Sequence, residues 1–181
     1  MYEQFKAKAE GVGAEVHRFA RETEALEFLR ALLKTEGTAQ AGGPVAVWAP
    51  GALRDGAGKV LLSLPGITGA VTREAAAGAR IGISEVDWAL ADTGTLVQDQ
   101  SAPEQRLVSS LTELHVAILR SGTILSDKLA LLSKIDPRKS RYIAFITGPS
   151  RTADIERVLT IGVHGPKRVL ILCIDETGVA A

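Results

Sequence analysis

Cysteine is almost missing from this chain: Cys173 is the only one in 181 residues. An intramolecular disulfide is therefore excluded. So is an iron–sulfur cluster held by this chain alone, because such clusters take about four protein ligands. Cys173 sits in "RVLILCID", where it reads as a small apolar core residue. Aromatic side chains make up only 4%, which removes the stacking platforms that bind single-stranded nucleic acid. Net charge is absent too, since 21 Lys and Arg balance 21 Asp and Glu. No field draws in nucleic acid or an anionic membrane. No apolar run approaches the roughly 18 residues of a membrane span. The opening "MYEQFKAKAEGVGAEV" lacks the apolar core of a secretory signal. The expectation is a cytoplasmic protein with no nucleic-acid partner and no membrane span.

What is present is a large apolar share, 46% against 23% charged residues, enough for one domain with a real core. "EQFKAKAE" has helical composition and docks as an arm or cap. "AEVHRFA" alternates like a short strand, and "ETEALEFLRALLKTEG" puts Leu26, Leu29, Leu32 and Leu33 on one helical stripe, ended by Gly37. "GGPVAVWAP" reads as a buried strand, and a helix is expected over residues 72–79. "ARIGISEVDWALADTGTLVQD" holds two strand-like runs, the second broken at Asp92, Thr93, Gly94 and Thr95. "ELHVAILR" and "RYIAFITG" read as strands, with "TILSDKLALLSKI" as the helix between them. "TADIERVLTIG" reads as a last helix and "RVLILCID" as a last strand. "IAFI" and "VLILCI" are apolar on both faces, as in a sheet covered from two sides. The fold class is α/β, with a largely parallel sheet covered by helices on both faces.

Several motifs fail on inspection. "DGAGKV" lacks the first glycine of a P-loop and has Val60 where a magnesium-binding hydroxyl belongs. "EGVGAEV" has no strand before it, so it is no dinucleotide fingerprint. His17, His115 and His164 show no metal-ligand spacing, and no metal site is assigned. Glu85 and Asp87 share a strand face, open to a hard cation or simply to solvent. His115 reads as a histidine at the edge of the core.

Three turns remain. In "ADTGT", Gly94 permits close backbone approach while the hydroxyls of Thr93 and Thr95 face one gap, with Asp92 beside them; a self-capped β-turn explains the same residues. In "TGPSRTADIE", Gly148 ends a strand, Pro149 stiffens the turn, and Ser150 or Thr152 is placed to cap a helix. Free N–H groups and Arg151 there suit a small carboxylate or phosphate. Asp154 and Glu156 already complement that helix start, so a self-capped helix is the equal alternative. In "GVHGP", residues 162–166, His164 is available as an acid or base near neutral pH. A turn that precedes a parallel strand belongs on the sheet edge opposite a strand-to-helix turn, which sets His164 and Arg151 apart.

Taken together, "ADTGTLV", "TGPSRTADIE" and "GVHGP" resemble the signature blocks of the LUD-domain family, in particular its lactate-utilisation protein C group. The resemblance runs over residues from about 81 to 175. Ser84 in "GISEVD" replaces a threonine frequent in relatives. The resemblance implies a single LUD-type domain over residues 1–181 with a helical N-terminal arm over about 1–36. It also implies a fold like that of sugar-phosphate isomerases and CoA-transferases. The function implied is oxidation of L-lactate to pyruvate within a three-protein iron–sulfur system. Any clusters would then sit in partner proteins, with no cofactor in this chain.

Arg151 pairs with a small anionic ligand, helped by backbone N–H groups of the stretch from Gly148 to Thr152, which holds Pro149 and Ser150. Thr93, Gly94 and Thr95 form the opposing wall, Asp92 orients them, and His164 carries a proton. A stand-alone transferase or ligase acting on a phosphate or acyl-CoA substrate is an alternative, as is a non-catalytic scaffold or regulator. A homo-oligomer is compatible with all three.

Overall fold

The computed structural model describes residues 1–36, 44–136, 138–153 and 159–175. Its centre is a six-stranded sheet made of β1 (Glu15–Phe19), β2 (Ala46–Trp48), β3 (Ile67–Thr68), β4 (Ile81–Glu85), β7 (Leu114–Arg120) and β12 (Arg168–Ile174). The spatial order is β1-β12-β7-β4-β2-β3 and every neighbouring pair is parallel. Among the described residues, α1 (Tyr2–Gly11), α2 (Glu22–Glu36), α3 (Ala52–Asp55), α4 (Arg73–Gly78) and α5 (Pro103–Leu111) flank it, while α6 (Lys128–Leu132) packs on Leu90 and Val97 outside it. Continuous apolar strands such as "VLILCI" demand cover on both faces, and they receive it. Leu29 and Leu33 of α2 pack on Ile83, Val116, Ile118 and Leu172. On the opposite face Phe5 and Ala9 of α1 meet Ala117, Leu119, Ile171 and Cys173. Burying one such Leu or Ile contributes roughly 1.5–3 kcal/mol. Among the described residues, no helix is long and apolar enough to cross a membrane.

A second, four-stranded sheet shares that opposite face. It contains β5 (Trp88–Leu90), β6 (Thr95–Asp99), β8 (Ile124–Leu125) and β9 (Ile143–Ile146), ordered β8-β5-β6-β9. β5 and β6 form an antiparallel hairpin, which is why the run after residue 87 is broken at Asp92–Gly94's turn. Ala89 and Leu96 of this hairpin join the α1 side of the core.

Within the arm over about 1–36, the short strand read in "AEVHRFA" is β1, which lies between α1 and α2 and pairs with β12. Several expectations need correction. "IAFI" is not a doubly covered strand: β9 lies at the edge of the smaller sheet and Phe145 is exposed. The helix in "TILSDKLALLSKI" shrinks to α6, capped by Asp127, because Ile124 and Leu125 pair with β5 as a strand. Helix α5 was not anticipated. Its N-cap position is Ala102, which offers no side-chain cap, and only Pro103 marks its start.

The largest change concerns "TADIERVLTIG". Its two ends are strands, β10 (Arg151–Ala153) and β11 (Leu159–Ile161), paired antiparallel with Thr152 opposite Thr160. β-branched residues favour such cross-strand pairing over a helix. Asp154 and Glu156 lie outside the described residues, as does Gly37. No helix starts at Arg151, so no helix N-terminus is available there for an anion.

Candidate functional site

Gly94 sits at the tip of the β5–β6 hairpin with φ +68°, and its N–H donates to the Leu90 carbonyl at 3.0 Å. A Cβ there would stand 2.2 Å from the Ala9 nitrogen of α1. Glycine is thus required by the helix passing over the turn, and it faces that helix. The flanking threonines face elsewhere. Thr95 Oγ1 donates to Thr93 Oγ1 at 2.8 Å, and Thr93 Oγ1 to Asp92 Oδ1 at 3.3 Å. Thr95 Oγ1 also lies 2.9 Å from Thr147 Oγ1. A hydroxyl has one hydrogen, and that of Thr95 is spent on Thr93, so Thr147 donates to Thr95. The result is a directed chain from Thr147 through Thr95 and Thr93 to the Asp92 carboxylate.

This chain lines a recess of about 390 Å³, completed by Leu90, Phe145 and Lys128. Lys128 arrives on α6, and its Nζ lies 4.9 Å from the centre of the Phe145 ring. Because the hydroxyl hydrogens are all committed along the chain to Asp92, Lys128 is the donor in this recess for a small anion, and Thr147 offers an acceptor beside the apolar wall. Neither Lys128 nor Thr147 was singled out in the sequence. The first belongs to a five-residue helix placed only by β8 joining β5. The second stands one residue before the Gly148 turn.

The other two turns meet each other. The Ser150 N–H donates to the Pro166 carbonyl at 2.9 Å, and the Gly162 N–H to the Ser150 carbonyl at 2.9 Å. Gly165 approaches Ser150 so closely that a Cβ would stand 3.1 Å from the Ser150 Cβ. The expectation that Arg151 and His164 occupy opposite sheet edges is therefore corrected: a hairpin returns the chain to its starting edge, whereas a helix would have crossed the sheet. Proximity does not give them a common pocket. The Arg151 guanidinium donates to the Val12 carbonyl, and Gly148, with φ +71°, backs onto the same carbonyl. Pro149 lies against Gly13, and Thr152 is taken up in the β10–β11 ladder. His164 is exposed and lines a separate shallow cleft of about 450 Å³ with Ser110, Glu113 and Lys167. Lys167 there pairs with Glu113 at 2.9 Å. The single recess expected from the sequence is two, with Arg151 in neither.

Between the sheets runs a buried polar network that the sequence reading passed over. Gln98 Nε2 has two hydrogens to share among three acceptors within reach, Ser84 Oγ at 3.0 Å, the Glu85 carbonyl at 2.6 Å and Gln105 Oε1 at 3.0 Å. Gln100 Nε2 reaches Gln98 Oε1 at 2.9 Å and Ser109 Oγ at 2.7 Å. Ser84 Oγ stands 2.8 Å from His115 Nε2. The alternation in "TLVQDQ" carried the signal, since it sends Gln98 and Gln100 to the inner face. Burial alone pushes the His115 pKa down to about 4. Asp87 is exposed, as at a solvated edge, whereas Glu85 is partly buried, and each carboxylate is engaged by a backbone N–H. Glu85 Oε1 accepts the Leu53 N–H at 2.8 Å and Asp87 Oδ2 the Asp99 N–H at 2.7 Å. Burial raises the pKa of the Glu85 carboxyl. Cys173 is fully buried, and burial, with Asp175 adding to it, pushes its thiol up to about 12. A protonated, enclosed thiol does not fit a cluster ligand.

Comparison with known proteins adds three findings. The LUD domain model matches residues 2–174. Proteins named lactate utilization protein C are similar: that of Exiguobacterium sp. is 35% identical over 111 residues, 58% of this chain and 48% of its own length. That of Halalkalibacterium halodurans is 36% identical over 109 residues, 57% of this chain and 47% of its own. The matched region thus spans about half the length of these relatives. A crystal structure of a DUF162 family protein from Deinococcus radiodurans aligns over 96% of this chain and 95% of that one, with a TM-score of 0.63 at 17% identity, which speaks to the fold.

Proposed function

From the premise that this chain belongs to the LUD-domain family, we propose that it is a component of a lactate-utilising system and binds the small carboxylate in the threonine recess. The observation that carries this reading is the hydroxyl chain of Thr147, Thr95 and Thr93 ending on Asp92, with Lys128 lining the same space. Lys128 supplies the counter-charge for the carboxylate. The Thr147 hydroxyl, whose hydrogen goes to Thr95, accepts a hydrogen bond from a ligand hydroxyl. Asp92 anchors the far end of the chain and fixes its direction. Oxidation of lactate to pyruvate releases two electrons and two protons. In this reading the electrons pass to iron–sulfur proteins of the same system and the protons to solvent, since one buried cysteine is too few to hold a cluster here.

The test is calorimetric titration of the purified protein with L-lactate and with pyruvate. Lys128→Met weakens binding at least about tenfold, the value of one charge-assisted hydrogen bond. Thr95→Val weakens it as well, by interrupting the chain. Unchanged affinity in both variants would sink the recess as the carboxylate site.

A further inference from the structure

Helix α6 is apolar on both sides. Leu131 points inward, fully buried against Leu90 and Val97 of the smaller sheet. Leu129 and Leu132 point outward and are 78% and 62% exposed. Phe145, within β9, is 45% exposed. The contact of Lys128 with the Phe145 ring ties the helix and the strand into one surface. Large apolar side chains left out together in this way mark a contact surface rather than scattered exposure.

The charge on that surface is one-sided. Residues 127–142 hold Lys128, Lys134, Arg138, Lys139 and Arg141 against Asp127 and Asp136, in a chain whose formal net charge is zero. Both carboxylates serve the local backbone: Asp127 accepts the Ala130 N–H at 2.9 Å and Asp136 the Arg138 N–H at 3.0 Å. The neighbouring Asp99 is held by the hydroxyl and N–H of Ser101. Lys134, Arg138, Lys139 and Arg141 are exposed. Among the described residues, no carboxylate lies within ion-pair distance of these four.

We infer that the α6–β9 surface, with Leu129, Leu132 and Phe145 as its apolar part and Lys134, Arg138, Lys139 and Arg141 in the segment that follows α6, docks a protein partner that presents carboxylates around an apolar centre. An apolar core ringed by complementary charge is the anatomy of a specific, electrostatically steered protein interface. The surface borders the threonine recess through Lys128 and Phe145, so the docked partner stands beside the bound ligand. The inference rests on the reading above in one respect: the partners tested are the iron–sulfur proteins of the lactate-utilising system.

The experiment measures binding of those iron–sulfur proteins, each purified separately, to the wild-type chain and to two double variants, Leu129→Ser with Leu132→Ser and Lys134→Glu with Arg138→Glu. All four positions are exposed and outside the recess, so folding and L-lactate affinity are checked in parallel and stay as in the wild type. The expected result is binding by the wild type that weakens as salt is raised, and a loss of at least about tenfold in either variant. Equal affinity in wild type and variants would overturn the surface while leaving the recess untouched. No binding of either iron–sulfur protein, with L-lactate still bound, would overturn the docking and the assembly while the carboxylate site stood. Binding of anionic phospholipid vesicles or of duplex DNA that is lost in the variants, without protein binding, would overturn the choice of partner.

Discussion

β12 and β9 look alike as text, "RVLILCI" against "IAFI", yet they live in different surroundings. The six residues from 169 to 174 are each 2% exposed or less, whereas Phe145 is 45% exposed. β12 lies between β1 and β7, under α1 and α2. β9 has a partner on one side only, β6. Apolarity alone did not decide their fates; the number of neighbours did. The central sheet uses its apolar residues for stability, and the smaller sheet leaves some of them, with the cations nearby, facing outward.

The widest gap between the two regions should appear in truncation. Leu172→Ala in β12 opens a cavity between α2 and the sheet and costs about 2–5 kcal/mol. Phe145→Ala in β9 removes a half-exposed ring and costs roughly 0.5 kcal/mol. Urea unfolding of the two proteins measures the difference directly. Equal losses would mean that β9 is as enclosed as β12 and would undo the comparison.

Acid sharpens it next. His115 is neutral and buried, with a pKa held at about 4 against an ordinary 6.5. The unfolded chain takes up this proton as pH falls through 6.5, and the folded chain does not until about 4. The stabilisation is therefore complete above pH 6.5 and lost progressively down to pH 4. The loss is on the order of 3 kcal/mol, from the 1.36 kcal/mol that each pKa unit represents. His115→Gln keeps a hydrogen-bonding group beside Ser84 and carries no titrating ring. Its unfolding free energy should fall less than that of the wild type between these pH values. Parallel slopes would place the acid sensitivity elsewhere.

The same contrast explains what could be read in advance. Long apolar strands such as "ELHVAILR" and "RVLILCID" carry their own evidence for a covered parallel sheet, because nothing else hides so many branched side chains. The "ADTGT" turn was readable as a turn, and the reason for its glycine was not, since Ala9 of α1 approaches Gly94 from far earlier in the chain. "TADIERVLTIG" has helical spacing, yet Thr152 and Thr160 face each other across a hairpin. Lys128 reaches the recess only through the pairing of β8 with β5, a contact that no local pattern announces. The parts of the site that escaped the sequence are those set by contacts between distant short elements.

The smallest expected effect separates two cations that sequence logic would rank the other way. Arg151 is exposed and donates to the Val12 carbonyl, so it ties the Gly148 turn to the end of α1. Arg151→Ala should cost about 1 kcal/mol of stability, the net value of one hydrogen bond, and leave L-lactate affinity as it was. Lys128→Met should do the reverse, sparing stability and weakening the ligand, because the lysine is exposed and makes its one described contact with the half-exposed Phe145 ring. Melting curves and titrations on both variants form a crossed pair of measurements. If Arg151→Ala abolishes binding at unchanged melting temperature, the guanidinium is the anion's partner. The carboxylate then belongs at the Gly148 turn beside α1, outside the recess of the smaller sheet.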